Sequence, residues 1–290
     1  MFRRILVATD LSEVSDEFVA ATAHLKVAGA AEVHLVHVID ALRMDEVPDA
    51  TRAEVSARLA EQAAVVRRAG MKAETHMAVG LPSAAIDEMA EYLKVDLVTM
   101  CSRGHTLQEA VLLGSVADRF MRIARFPLLL LRCSVLYESG EHRCGIHCAR
   151  LFEHVLFATD FSDNAAAAFD VLVGLASATS PRVSLVHVQD RTRIEPHLSD
   201  RLEEFNKTDS QRLGGMSEEL KAAGATDIAT KVVYGHPVVD LLSVIGEESP
   251  TLVLLGNQGR GWVRELFLGS VAHNVARLTE VPVLLIPHGR

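Results

Sequence analysis

The sequence has no apolar run long enough to cross a membrane. Its longest apolar stretches, such as the leucines at 128–131, are far shorter than the roughly 20 residues that a membrane-spanning helix needs. The apolar start at 5–8 is also too short for a signal peptide, and the acidic Asp10 follows it directly. We therefore expect a cytoplasmic protein with no membrane partner.

Aromatic residues and positive charge are both scarce. Only 5% of the 290 residues are aromatic, and 29 Lys and Arg stand against 38 Asp and Glu, which gives a net charge of −9. Proteins that coat nucleic acids neutralise phosphates with Lys and Arg and stack bases on aromatic rings. We therefore expect no nucleic-acid partner. The composition, 49% hydrophobic and 23% charged, is that of a packed protein.

Motifs that carry catalysis are missing as well. The sequence contains no G-x-x-x-x-G-K-[ST], no G-x-S-x-G and no H-E-x-x-H. His37 and His187 lie in apolar strands, which is typical of hydrogen-bonded core or edge histidines rather than of acid–base groups. The other histidines show no partner at catalytic spacing: His76, His105, His236 and His273. We therefore expect no efficient enzymatic turnover and no catalytic residue.

What the sequence does contain is a repeat of itself. Residues 3–12 (RRILVATDLS) match 153–162 (EHVLFATDFS), and 33–38 (VHLVHV) match 183–188 (VSLVHV), both at an offset of 150. Later pairs, such as Leu-Gly-Ser-Val-Ala at 113 and at 268, are offset by 155. A repeat of this length predicts two homologous domains, at 1–132 and 151–290, joined by a linker at 133–150.

Within each half, short apolar strands alternate with helical stretches. In the first half the helical stretches lie at 15–29, 51–70 and 82–94; Ser12 or Ser15 is the candidate N-cap, and glycines end the first two. Such alternation predicts an α/β fold with helices on both faces of a parallel sheet. Each half is therefore expected to form a doubly wound, Rossmann-like sheet of five strands.

The linker is rich in cysteine and histidine. Three of the four cysteines lie in it, together with two histidines. Zinc prefers four N or S ligands, and one Cys3His set is available: Cys133, Cys144, His147 and Cys148. A disulfide or redox pair of Cys144 and Cys148 is a second reading, and spare thiols in a tolerant linker are a third.

A glycine-containing segment follows the fourth strand of each half. In the second half Gly256-Asn257-Gln258-Gly259 is followed, after nine residues, by Gly269-Ser270. The first half has Cys101-Ser102-Arg103-Gly104, nine residues, and Gly114-Ser115. Glycines let a backbone approach a phosphate, and a serine at a helix N-terminus adds donors. Ligands of doubly wound sheets bind at this end of the strands.

This arrangement resembles the universal stress proteins that bind ATP, and the resemblance covers both halves. It implies that the Asp at the end of the first strand lies by the adenine, that the end of the second strand contacts the base, and that the glycine segment and the Gly-Ser pair hold ribose and phosphates. In the second half the implied residues are Asp160, Val188, Gly256, Asn257, Gln258, Gly259, Gly269, Ser270 and Val271. In the first half they are Asp10, Val38, Gly104, Gly114, Ser115 and Val116.

The two sites are not expected to be equivalent. Cys101 stands where the second half has Gly256, and a side chain there is expected to restrict positive φ and to intrude on a nucleotide. The second half should therefore bind better. In the alternative reading, the first-half glycines are turn residues of an unused scaffold.

The resemblance implies a stress-response sensor that binds ATP, ADP or AMP and reports to an unidentified protein partner. Such proteins pair domains through their last strands, so the two halves are expected to form an internal pseudo-dimer, and a homodimer of whole chains stays open. A nucleotide-free interaction module and a weak ATPase or transferase are the other functions considered.

Overall fold

The computed structural model describes residues 1–40, 47–101, 113–132, 150–195, 199–259 and 269–287, and the backbone alone of 134–138 and 141–145. The chain divides into two compact units, residues 1–149 and 150–290. No helix in these ranges is long and apolar enough to span a membrane.

The first unit contains a five-stranded parallel sheet in the order β5-β4-β1-β2-β3. Its strands are β1 Arg4–Ala8, β2 Glu32–Asp40, β3 Lys72–Gly80, β4 Leu97–Cys101 and β5 Leu128–Leu131. Its helices are α1 Glu13–Ala21, α2 Asp49–Arg68, α3 Pro82–Tyr92 and α4 Ser115–Ile123. A 3-10 helix, Thr22–Ala28, follows α1.

The second unit repeats this sheet in the order β12-β11-β8-β9-β10, again all parallel. Its strands are β8 His154–Ala158, β9 Arg182–Asp190, β10 Asp227–Gly235, β11 Leu252–Gly256 and β12 Val283–Ile286. Its helices are α5 Asp163–Thr179, α6 Arg191–Ile194, α7 Leu202–Ala223, α8 Pro237–Glu248 and α9 Ser270–Leu278. A 3-10 helix covers Ser199–Arg201. The predicted fold class, with five parallel strands in each half, is confirmed.

Strands in both sheets are buried on both faces. The four leucines of β5 are at most 2% exposed, and β11 is buried from Leu252 to Leu255. Burying one such side chain contributes about 1.5–3 kcal/mol, and a strand covered on both faces needs an unbroken apolar run. This is why the runs in the sequence predicted these strands correctly.

The first helical stretch begins and ends where its capping residues predict. Ser12 is the N-cap of α1 and accepts a hydrogen bond from the Ser15 backbone N–H at 3.3 Å, which decides between the two candidates. Gly29 ends the stretch with φ 100°, a left-handed conformation that favours glycine. The sequence did not reveal the change to a 3-10 helix at Thr22, whose hydroxyl donates to the Val19 carbonyl at 2.6 Å.

The stretch predicted as a linker contains a β-hairpin. Strands β6 Ser134–Glu138 and β7 Glu141–Gly145 pair antiparallel, and both belong to the first unit. Cys144 lies in β7 opposite Val135. The other predicted zinc ligands lie outside the described residues: Cys133, His147 and Cys148. The zinc and redox readings of this stretch stay predictions.

Candidate functional site

The carboxyl ends of three neighbouring strands in the second unit carry the predicted site. Ala158 of β8 is paired with Val186 of β9 and with Leu255 of β11. Two residues further along each chain, Asp160, Val188 and Asn257 come to the same edge of the sheet. Strand order reverses between β8 and β11. After β8 the chain adds β9 and β10 on one side of β8, and it then returns to add β11 and β12 on the other side. Open α/β sheets bind their ligands at such a position.

Asp160 is held by the start of the helix that follows it. Its Oδ1 accepts hydrogen bonds from the Ser162 backbone N–H at 3.1 Å and from the Ser162 hydroxyl at 2.6 Å. Ser162 is in turn the N-cap of α5, and it accepts from the Ala165 N–H at 3.2 Å. A negative charge is stabilised near a helix N-terminus, so the fold fixes this carboxylate in one orientation.

The loop after β11, here the glycine loop Gly256–Gly259, lies directly against Asp160. A Cβ added to Gly259 would stand 2.8 Å from the Asp160 Oδ2. The Gly269 N–H donates to the Asn257 carbonyl at 2.7 Å, and a Cβ at Gly269 would lie 3.4 Å from the Gly259 nitrogen. The structure thus brings together residues from the end of β8, the glycine loop and the start of α9, as the sequence pattern predicted.

Helix α9 begins at this loop. Gly269 is its N-cap, with φ −60° and ψ 137°, and Ser270 and Val271 form its first turn. The first N–H groups of a helix have no partner within the helix, and they carry the positive end of the helix dipole. Ser270 is exposed, and its carbonyl accepts from the Asn274 side chain at 2.7 Å. This end of α9 can bind an anion.

Gly256 is required for a reason other than the one that the sequence suggested. A Cβ there would overlap the Oδ1 of Asn164 and lie 3.2 Å from its backbone carbonyl carbon. Asn164 is 4% exposed, and its Nδ2 donates to the Asn257 Oδ1 at 3.1 Å. The expectation that Cys101 strains a left-handed backbone is wrong, because neither Gly256 nor Cys101 has positive φ. The first half has Val14 in place of Asn164, 150 residues earlier.

The first unit repeats the anchored carboxylate. Asp10 Oδ1 accepts from the Ser12 N–H at 3.1 Å, from the Ser12 hydroxyl at 2.6 Å and from the Ser15 hydroxyl. Ala8 of β1 is paired with Val36 of β2, and Asp10 and Val38 each lie two residues further along the chain. Val38 therefore comes to the same edge of the sheet as Asp10.

Helix α4 of the first unit starts like α9, with Gly114 as N-cap and with Ser115 and Val116 in its first turn. Cys101 ends β4 and is partly exposed. Gly104 lies outside the described residues.

The repeated histidines support the end of each first strand. His37 Nδ1 lies 2.9 Å from the Thr9 carbonyl, and His187 Nδ1 lies 2.7 Å from the Thr159 carbonyl. The prediction that both are hydrogen-bonded strand histidines is confirmed.

Polar side chains of α7 and β9 surround His187, which supports the end of β8. The sequence did not reveal them. Asp209 of α7 accepts from Gln189 Nε2 at 2.8 Å and lies 3.5 Å from His187 Nε2. The repeated His187 was the sequence feature that could have pointed to Asp209 and Gln189, since α7 contains no repeated motif.

His154, at the start of β8, makes the stability of the second unit depend on pH. Its Nε2 lies 2.9 Å from the Ser184 hydroxyl, and it is 8% exposed. Burial lowers the pKa of His154 below its ordinary 6.5; Arg182 lowers it further, whereas Glu248 and Asp227 oppose the shift. Below pH 6.5 the unfolded chain therefore binds more protons than the folded one, and stability falls as the pH falls.

We expect His154→Gln to weaken this pH dependence. The glutamine amide can still reach Ser184 but has no proton to gain between pH 7 and 5. Urea unfolding of the second unit across this range measures the effect. The free energy of unfolding of the variant should fall less with acidification than that of the parent, and equal slopes would contradict the assignment.

Comparisons with known proteins cover both halves. The model of the universal stress protein family matches residues 1–132 and again residues 151–287. Universal stress protein YxiE of Bacillus subtilis is 26% identical over 147 residues, which are 47% of this chain and 99% of that protein. A universal stress protein of Methanocaldococcus jannaschii is 30% identical over 141 residues, 46% of this chain and 83% of its own.

Solved structures match the whole chain. The crystal structure of a universal stress protein from Archaeoglobus fulgidus aligns with a TM-score of 0.76 at 24% identity and covers 99% of this chain and 98% of its own. A universal stress protein structure from Pseudomonas aeruginosa aligns at 0.66 with 15% identity, over 99% of this chain and 93% of its own. At these identities the likeness concerns the fold alone.

Proposed function

We propose that this chain, which belongs to the universal stress protein family, binds an adenine nucleotide at the carboxyl-end edge of its second sheet. The observation that carries the proposal is the close approach of Gly259 to Asp160, where an added Cβ would stand 2.8 Å from the carboxylate, since it unites the glycine loop and the first-strand carboxylate at the reversal of strand order. ATP, ADP and AMP share the adenosine and phosphate groups that this edge can recognise.

Each part of the edge has a chemical counterpart in the nucleotide. A carboxylate accepts hydrogen bonds from an exocyclic amine or a ribose hydroxyl, so Asp160 takes the nucleoside, with half-buried Val188 as its apolar contact. The glycine loop leaves room for backbone to approach the ribose and phosphates. The N–H groups of Ser270 and Val271 bind phosphate at the N-terminus of α9.

The first half is proposed to bind more weakly. It has the anchored Asp10 and the Gly114-Ser115 start of α4, but Cys101 replaces the glycine at the end of β4. The side chain of Cys101 adds volume next to the loop, in contrast to the second half. A binding and sensing function, rather than turnover, fits the lack of a catalytic motif in the sequence.

The test is to denature the purified protein, identify released nucleotide by mass spectrometry and titrate the emptied protein with ATP, ADP and AMP by calorimetry. We expect roughly one tightly held equivalent per chain, with a second, weaker one at most. Two equal sites would contradict the predicted inequality. No nucleotide and no uptake would favour a nucleotide-free interaction module.

A further inference from the structure

Two neighbouring strands of the first unit bring three potential metal ligands to one face of the sheet. In the parallel pairing of β2 and β3, His34 is opposite Glu74 and Val36 is opposite His76. Alternate residues of a strand point to the same face, so the side chains of His34, Glu74 and His76 share it. We call these three residues the His–Glu–His cluster. It lies apart from the carboxyl-end edge, towards the beginning of both strands.

The ligand atoms of the cluster form a compact triangle. His34 Nδ1 and His76 Nε2 are 3.0 Å apart. The Glu74 Oε2 lies 3.6 Å from the first nitrogen and 3.9 Å from the second. Around a tetrahedral zinc ion with bonds of about 2.0–2.2 Å, two ligand atoms are about 3.3–3.6 Å apart. The three separations bracket this distance, so small side-chain movements are enough to admit an ion.

We propose that His34, Glu74 and His76 bind a first-row divalent cation, with Zn²⁺ as the best-fitting ion. Two imidazoles and one carboxylate form a donor set that zinc accepts, with a water molecule in the fourth position. His34 is buried, His76 is partly exposed, and the Glu74 side chain is 59% exposed. The ion therefore has an open side toward solvent, through which it can enter.

A second observation, at the ring nitrogen of His34 that does not face the cluster, supports the site. Within the described residues His34 Nε2 is buried without a hydrogen-bond partner, yet it lies 3.6 Å from the Glu32 Oε1. A histidine that binds a metal through one nitrogen almost always donates its other N–H to a carboxylate, a backbone carbonyl or water. A cation on Nδ1 would fix the proton on Nε2, and Glu32 would then accept it. The ion thus accounts for the unpaired nitrogen.

The charges around the cluster allow a cation. Burial lowers the pKa of both His34 and His76, and the neutral form of an imidazole is the one that binds metal. Arg4 is a nearby positive group, and its Nε lies 3.3 Å from the Glu32 carboxylate. Glu32 offsets that charge, and Glu74 contributes the negative charge that faces the ion.

The same positions in the second unit cannot bind a metal. Ser184 and Ala229 are paired where the first unit has His34 and Glu74, and Lys231 is opposite Val186 where it has His76. Only one of the two sheets carries the donors, so the site sets the halves apart. It would bind one ion per chain and does not depend on nucleotide binding.

The test is a Zn²⁺ titration of the full chain in competition with a chromophoric chelator. Because the linker cysteines can also bind zinc, parent and variants are compared in a background with Cys133→Ser, Cys144→Ser and Cys148→Ser. We expect one equivalent to bind in this background. Loss of a supporting carboxylate in a metal site costs about 10–100-fold in affinity, so removing a ligand by His76→Gln should weaken binding about 100-fold or more.

Two further variants keep the test decisive. Glu74→Gln changes a largely exposed side chain and leaves the fold intact, so it replaces His76→Gln if the latter does not fold. His24→Gln, an exposed histidine outside the cluster, is the matched control and should bind like the parent. Equal zinc affinity in the cluster variants and the control, or no binding in the cysteine-free background, would overturn the proposal and leave a hydrogen-bonded histidine pair.

Discussion

Replacing Gly259 with valine is expected to abolish nucleotide binding in the second half. The first added atom, Cβ, would stand 2.8 Å from the Asp160 Oδ2, and Asp160 cannot turn away without breaking its two hydrogen bonds to Ser162. Overpacking of this kind costs about 1–3 kcal/mol, or about fivefold to 160-fold in affinity, and the two methyl groups of valine extend further into the space for the ligand. Calorimetry with ATP measures the loss.

Gly215→Val is the matched control for this experiment. Gly215 lies in α7, and a Cβ built on it meets nothing within 4 Å. The control should bind nucleotide like the parent. Unchanged affinity in Gly259→Val would mean that the site has been assigned to the wrong loop, whereas loss of binding in both variants would point to an effect on folding.

The second large effect concerns stability rather than binding. Gly256→Ala is expected to lower the free energy of unfolding of the second unit by about 2–3 kcal/mol, because the new Cβ overlaps the buried Asn164 amide. Moving that amide also breaks its 3.1 Å hydrogen bond to Asn257. Urea unfolding, followed for the transition of the second unit, measures the change.

Two comparisons test the cause of this destabilisation. Gly246→Ala, in open space on α8, should be neutral or stabilising by about 0.5–1 kcal/mol. Adding Asn164→Val, the residue type of the first half, should make Gly256→Ala cost less than it does alone, since the overlapping amide is gone. Additive effects of the two substitutions would show that the Asn164 contact is not the cause.

The repeat made most of the fold predictable from the sequence. Sequence offsets of 150 and 155 residues paired the two halves, and apolar runs such as Leu128–Leu131 marked strands that are covered on both faces. The ends of the first and fourth strands indicated the candidate site, since parallel strands place their carboxyl ends at one edge. These features depend on local pattern and on topology, which sequence reasoning can follow.

Contacts between distant residues could not be predicted in this way. Asn164 and Asn257 are 93 residues apart, and only the register of neighbouring elements brings the amide next to Gly256. The sequence likewise showed no partner for His76, because His34 becomes its neighbour through the pairing of β2 with β3. Side-chain pairs of this kind depend on strand register, which the residue pattern alone left open.

The anchored carboxylate of Asp160 has a consequence for discrimination between purines. One of its oxygens is fixed by Ser162, so the orientation of the other toward Gly259 is fixed as well. An ionised carboxylate accepts hydrogen bonds and donates none. In the proposed site an amino group on the base finds an acceptor, whereas a carbonyl oxygen at the same place, as in guanine or hypoxanthine, would meet a second acceptor and be repelled. If the proposed site holds, the cap of a helix would thereby select the base.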